Sequence, residues 1–203
     1  MNEQFEKRKI ISSFLLTVLI GHALKNMIDS VQGQILSDGL TVSNSFLAFS
    51  FFLVTIRFFI GNQLHLFKGS IESPGFLWLF DTIIIVIESI ILILLSNVCL
   101  VEKNLGVYLG FKELLIILFA IDIFWVLTQN IMIWRGRKKE KTWKTISVPW
   151  GWAILNFTLC LLLLFGEFLL GDIYSVVGLY FLLVINLIAF VVDVILIDYY
   201  KAI

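Results

Sequence analysis

Residues 74–100 read PGFLWLFDTIIIVIESIILILLSNVCL. The run is longer than the ~20 apolar residues a helix needs to cross a bilayer, yet it carries two acids, Asp81 and Glu88. Their spacing of seven residues is about two helical turns and brings them to nearly the same face. A carboxylate near the bilayer centre costs about 2.5–3.5 kcal/mol on insertion scales, so both acids are expected to turn toward protein or water and away from lipid.

The rest of the chain repeats this design. It has 203 residues, 60% of them hydrophobic, and a mean hydropathy of +0.99, far above a soluble domain, where about 45–50% is usual. Six apolar spans can be drawn, near 10–30, 45–64, 76–98, 112–134, 151–170 and 177–198, with only short polar segments between them. The expected architecture is an all-α membrane protein, a six-transmembrane-helix bundle with a polar interior that forms one polytopic domain over 1–203. Lysine and arginine placement sets its orientation. With the N-terminus inside, the inner segments hold Lys7, Arg8, Lys9, Lys68, Arg135, Arg137, Lys138, Lys139, Lys141, Lys144 and Lys201, against Lys103 and Lys112 outside. Both termini are therefore expected in the cytoplasm of a cell that holds this chain as a multi-pass protein of its membrane. The first span follows Lys7-Arg8-Lys9 as a signal peptide would, but no small-x-small cleavage pattern closes it, and it reads as the first membrane helix.

Polar residues fall on stripes. Ser50 and Arg57 share a face of the second span, Asp122, Trp125 and Gln129 of the fourth, Asn156, Cys160 and Glu167 of the fifth, and Asn186 and Asp193 of the sixth, each at helical spacing. Such repetition in a lipophilic chain points to a polar interior. At 1.5 Å per residue, counting from span ends gives two layers. An inner network of Arg57, Asp81, Gln129 (or Asn130), Asn156 and Asp193 lies near the cytoplasmic boundary, and Glu88, Asp122 and Asn186 lie near the midplane. Arg57 is expected to pair with Asp81 or, failing that, Asp193. The middle layer has acids and no base, so those acids either keep a proton or attract a cation.

Smaller features complete the reading. His22, Lys25 and Asp29 share a helix face and are expected to form a locally paired outer tip. Residues 30–44, with Gly33, Gly39 and Asn44, read as an outer loop in which Asp38-Gly39 supplies turn chemistry. Pro74 and Pro149 are expected at helix starts, where a missing N–H costs nothing. Each has a polar residue seven positions on, Asp81 and Asn156, which hints at a duplicated hairpin. Cys99 and Cys160 read as packing residues. The segment Arg135–Lys144, with Arg137, Lys138, Lys139 and Lys141, is a topology anchor against anionic lipid or a contact for a cytoplasmic protein partner; one short basic run does not make a nucleic-acid site.

No zinc spacing, nucleophile elbow, phosphate loop or dinucleotide fingerprint is present, so neither an enzyme nor a cofactor or metal site is expected. Two functions remain. In one, Glu88, Asp122 and Asn186 line a path for a small cation or proton, through one subunit or at the centre of a homo-oligomer. In the other, the polar residues fix helix register, and the chain is a membrane-embedded sensor, effector or assembly subunit that transports nothing itself. Against an alternating-access carrier, no span is broken by proline.

Overall fold

A computed structural model describes residues 3–37, 39–64, 66, 75–98, 110–136, 143–171 and 173–201. They form six helices: α1 (Glu3–Ser37), α2 (Val42–Leu64), α3 (Gly75–Val98), α4 (Phe111–Gly136), α5 (Trp143–Leu170) and α6 (Val176–Lys201). The chain divides into two compact units, Met1–Phe111 and Lys112–Ile203, the first built from α1–α3 and the second from α4–α6.

Among the described residues, five helical segments are long and apolar enough to cross a membrane: Glu6–Ser37, Val42–Leu64, Trp78–Val98, Trp150–Leu170 and Val176–Ile195. α4 has the length, but Lys112, Glu113 and Asp122 all fall in its first half. Large apolar side chains are exposed while several polar and charged ones join the apolar core. Phe168 is 87% exposed and Phe14 69%, while Arg57, Asp81, Glu88, Asn156, Asn186 and Asp193 are all buried. Apolar residues outside and polar ones inside are compatible with a multi-pass membrane protein. Between such helices the contact energy comes from close packing and polar pairs, because lipid is as apolar as leucine.

In the first unit α1 makes its most extensive contact with α3 and a smaller one with α2. Leu16, Ile20, Ala23 and Met27 of α1 are buried, a stripe at spacings of three and four that keeps one face of the helix inward.

The expected outer loop over 30–44 is mostly helix, since α1 runs to Ser37. Gly33 alone costs about 1 kcal/mol in a helix, too little to stop one already propagating. The helix stops at Gly39, whose φ of 81° is open to glycine and strained for other residues. The Gly39 N–H donates to the Gln34 carbonyl at 2.9 Å, a wide helix-closing bond. Thr41 then caps α2: its Oγ1 accepts from the Asn44 N–H at 3.2 Å and its carbonyl from the Ser45 N–H at 3.0 Å, as an N-cap residue does. Asn44 also donates from Nδ2 to Gln34 Oε1 at 2.8 Å, tying the two helix ends together.

The second unit turns by the same chemistry. Gly171, with φ of 77°, follows α5, and Ser175 caps α6 by accepting from the Gly178 N–H at 3.1 Å and the Leu179 N–H at 2.9 Å. The start of α5 corrects an expectation, since the helix begins at Trp143 and Pro149 lies within it. Pro149 has no N–H to offer the Thr145 carbonyl, and it sits just ahead of the apolar segment that opens at Trp150. Pro74 lies outside the described residues, and α3 opens directly after it at Gly75.

Candidate functional site

Each unit holds a carboxyl–amide pair between two of its helices. In the first, Asn62 Nδ2 in the last turn of α2 donates to Glu88 Oε2 of α3 at 2.8 Å, and Glu88 is 0% exposed. In the second, Asn156 Nδ2 of α5 donates to Asp122 Oδ2 of α4, with Asn156 buried and Asp122 half-buried.

These bonds cut across the layers counted from span ends. Asn156 and Asp122, assigned to different layers, are hydrogen-bonded to each other. Glu88, assigned to the midplane, is within reach of a residue two positions from the end of α2. Counting residues from span ends gives depth only where helices end at a common height without tilt, and these two contacts show that neighbouring helices are offset. Asn62 was not singled out from sequence, because an amide so near a helix end reads as an interfacial residue.

Asn186, the third middle-layer residue, is buried and donates from Nδ2 to the Leu182 carbonyl of its own helix at 2.9 Å. Among the described residues its Oδ1 has no hydrogen-bond partner, a cost of about 1–3 kcal/mol for a buried acceptor. Of the inner network, Arg57, Asp81, Gln129, Asn156 and Asp193 are all buried. The Arg57 guanidinium carbon lies 5.8 Å from the Phe58 ring centroid, in cation–π range. Trp125 is buried with Gln129, as one shared stripe requires. Cys160 is buried and free, and its thiol reaches the Ile116 carbonyl at 3.8 Å; Cys99 lies outside the described residues.

One end of the first unit is held by a directional ring of hydrogen bonds. Trp78 Nε1 donates to Ser12 Oγ at 3.0 Å, and Thr82 Oγ1 donates to the Trp78 carbonyl at 2.9 Å. That bond uses the Thr82 proton, so in the remaining contact, 3.0 Å between Ser12 Oγ and Thr82 Oγ1, Ser12 is the donor. Arg8 stacks over the same indole at 5.3 Å. Ser13 donates to Gln63 at 2.9 Å and adds α2 to the joint. His22, Lys25 and Asp29 lie within α1 and not at its tip, since the helix runs to Ser37; locally, Lys25 bonds Asp29, and His22 has Asn26 3.5 Å away.

The second unit has a charged joint where α4 begins. Lys112 Nζ bonds Glu167 at the far end of α5 and lies 3.2 Å from Glu113 Oε1. The Lys112 backbone N–H donates to Tyr174 Oη at 3.4 Å, and that hydroxyl donates to Glu113 Oε2 at 3.4 Å. Tyr174 thus serves one of the open N–H groups of the α4 start, and Glu113 places negative charge where the helix dipole favours it. Burial is the main cause that pushes the Tyr174 phenol above its ordinary range. Sequence reading had used Lys112 only to count charges; its partners come from another helix end and a turn, a juxtaposition with no local signature.

The basic segment is beyond direct description: Arg137, Lys138, Lys139 and Lys141 lie outside the described residues, as do the side chains of Arg135 and Lys144 in α4 and α5. Among the described residues no group of three or more His, Cys, Asp or Glu side chains is placed to hold a metal ion. No protein-family model, curated protein or solved structure matches the chain.

Proposed function

We propose that this chain is a six-span protein of the cell membrane, with both termini cytoplasmic, that moves protons, and that Glu88 and Asp122 are the groups that take them up and release them. The carrying observation is that each acid has an amide N–H among its partners. A carboxylate that binds a metal cation shares it with other oxygens, whereas here an amide N–H faces Glu88 and another faces Asp122. Turned over, either amide oxygen would accept from a protonated carboxyl. The amide can thus serve the ionised and the protonated carboxyl in turn, which supports proton over metal-ion traffic. Lysine and arginine placement supports the orientation, and the fourth span is α4 with its interior acid.

Proton flux into liposomes containing the full chain, driven by an imposed gradient, tests this reading. Wild type is expected to acidify the lumen, and Glu88→Gln and Asp122→Asn to fold while losing most of that flux, because an amide keeps the size and cannot carry the proton. Wild-type liposomes no leakier than empty ones would end the proposal.

A second reading is favoured by the confinement of each pair to its own unit: such bonds fasten α2 to α3 and α4 to α5. The chain then is a membrane-embedded sensor or assembly subunit, met on the cytoplasmic side through Arg135–Lys144. It predicts normal partner-dependent function in the two amide variants.

The buried cation belongs to either reading. Arg57 is proposed to pair with Asp81, and removing one partner of a buried pair costs about 3–5 kcal/mol. Arg57→Met and Asp81→Asn should each destabilise the protein, and the double variant by clearly less than their sum. Additive losses in chemical unfolding would exclude the pair.

A further inference from the structure

Across α1 from its buried stripe of Leu16, Ile20, Ala23 and Met27, Ile11, Val18, Lys25 and Gln32 recur every seven residues, and His22 and Asp29 stand four places after the second and third of them. All six are exposed, Ile11 at 56% and Val18 at 50%. Alternating steps of four and three draw one continuous seam along a helix, the pattern by which two parallel helices pack. The outer half of this seam is polar at a depth where lipid offers it nothing. Counted from Ile10, where the apolar run opens, His22 stands ~18 Å along the helix and Lys25 and Asp29 ~22 and ~28 Å, inside a hydrocarbon layer ~30 Å thick. Lys25 and Asp29 are bonded to each other on this surface, with side chains 69% and 54% exposed. Ionisable groups at such depth face protein and rarely lipid, yet α1 shows these outward.

We infer that a second copy of this chain covers this face, the two α1 helices lying parallel and side by side about a two-fold axis along the membrane normal. Charge selects the occupant. Both copies cross the membrane in the same sense, so each meets its own pattern at equal height, and the axis sets the Lys25 ammonium of one copy beside the Asp29 carboxylate of the other. Each Lys25 keeps the Asp29 of its own chain and gains a second, so that four charges alternate around the axis. Ile11 and Val18 pack against their counterparts nearer the cytoplasmic end. Lipid gives the charged half of the seam no such partner. The inference rests on the membrane reading of α1 and is independent of proton movement.

Disulfide formation in native membranes tests it, in the full chain carrying Cys99→Ser and Cys160→Ser. Val18→Cys and Gln32→Cys should each link two chains on mild oxidation, whereas Ile28→Cys, exposed on the flank of the seam, should not. Lys25→Asp or Asp29→Lys, added to Val18→Cys, sets like charges together and should lower the linked fraction at least about ten-fold. Co-expressed under different tags, the Lys25→Asp chain and the Asp29→Lys chain should link to each other, because one carries two acids where the other carries two lysines. That rescue also shows both variants to be folded and inserted. No link through Val18→Cys, a link through Ile28→Cys as strong, or no rescue in the mixed pair when both variants reach wild-type levels in the membrane would overturn the assignment. A chain that covers this face with another of its own parts gives the first of these results. Because the readout is the linked pair, failure here is distinct from failure of proton flux.

Discussion

The two units solve one problem with different materials. Each buries an acid against an amide from a neighbouring helix, Glu88 with Asn62 and Asp122 with Asn156, and each turns a hairpin on a left-handed glycine followed by a Thr or Ser cap. They differ in how their helix ends are joined. The first unit uses neutral groups, the Trp78–Ser12–Thr82 ring, with Arg8 laid on the indole. The second uses charges, Lys112 with Glu167 and Glu113. A neutral ring is indifferent to salt and to pH near neutrality, whereas an ion cluster at a helix end is screened by the one and titrated by the other. The comparison teaches that the first unit is held by shape and the second can respond to its surroundings.

Within this comparison the largest expected effect tests whether the two hairpins are as alike as their caps suggest. A Cβ added at Gly178 would lie 2.4 Å from the Ile173 carbonyl oxygen, against backbone. Gly178→Ala must therefore displace the turn, and a loss of about 3 kcal/mol is expected, the upper end of overpacking costs. At Gly39 a Cβ meets nothing within 4 Å, and only the φ of +81° opposes it, so Gly39→Ala should cost about 1–2 kcal/mol. Thermal unfolding of both variants in one detergent measures the difference. Equal losses would mean that the second turn yields and that its tight contact with Ile173 is not structural.

The acid–amide pairs should rank in the same way by burial. Asn62→Leu removes a donor from a carboxyl that is fully buried, a loss of about 2–3 kcal/mol for a hydrogen bond to such a group. Asn156→Leu removes one from Asp122, which is only half-buried and has room to turn to other groups, so about 1 kcal/mol is expected. Combining Asn62→Leu with Glu88→Gln should recover stability relative to Asn62→Leu alone, since the neutral amide is cheaper to leave poorly paired. If Asn156→Leu is the more damaging, exposure does not control the worth of these pairs.

How legible this was from sequence follows from the range of each signal. Hydropathy and helical spacing act within one helix, so the apolar segments and the burial of Arg57, Asp81, Glu88, Gln129, Asn156, Asn186 and Asp193 could be read directly. The pairs could not, because they depend on axial offsets between helices that no single helix records. Asn62 lies close to a helix end, where an amide reads as an interfacial residue. The length of α1 was underestimated because Gly33 and the serines near it look like a loop, whereas a long helix continues through one weak residue until Gly39 changes the sign of φ. Pro149 misled in the opposite direction, as a helix start that lies inside α5.

The smallest expected effect sharpens the contrast between neutral and charged joints. The Tyr174 phenol is pushed above its ordinary range, chiefly by burial, with the Glu113 charge acting in the same direction. The folded state therefore holds this proton more tightly than the unfolded chain, whose tyrosine ionises near pH 10. The stabilisation is complete below that pH and is lost as pH rises through the higher folded value. Tyr174→Phe deletes the hydroxyl that accepts from the Lys112 N–H and donates to Glu113, and should cost about 1 kcal/mol at pH 8. Wild type should then lose stability above about pH 10 faster than the variant, so the gap between them closes. Melting curves from pH 8 to pH 11 for the pair check this. A gap that holds constant across the series would place Tyr174 outside the joint and leave the second unit fastened by Lys112 and its two acids alone.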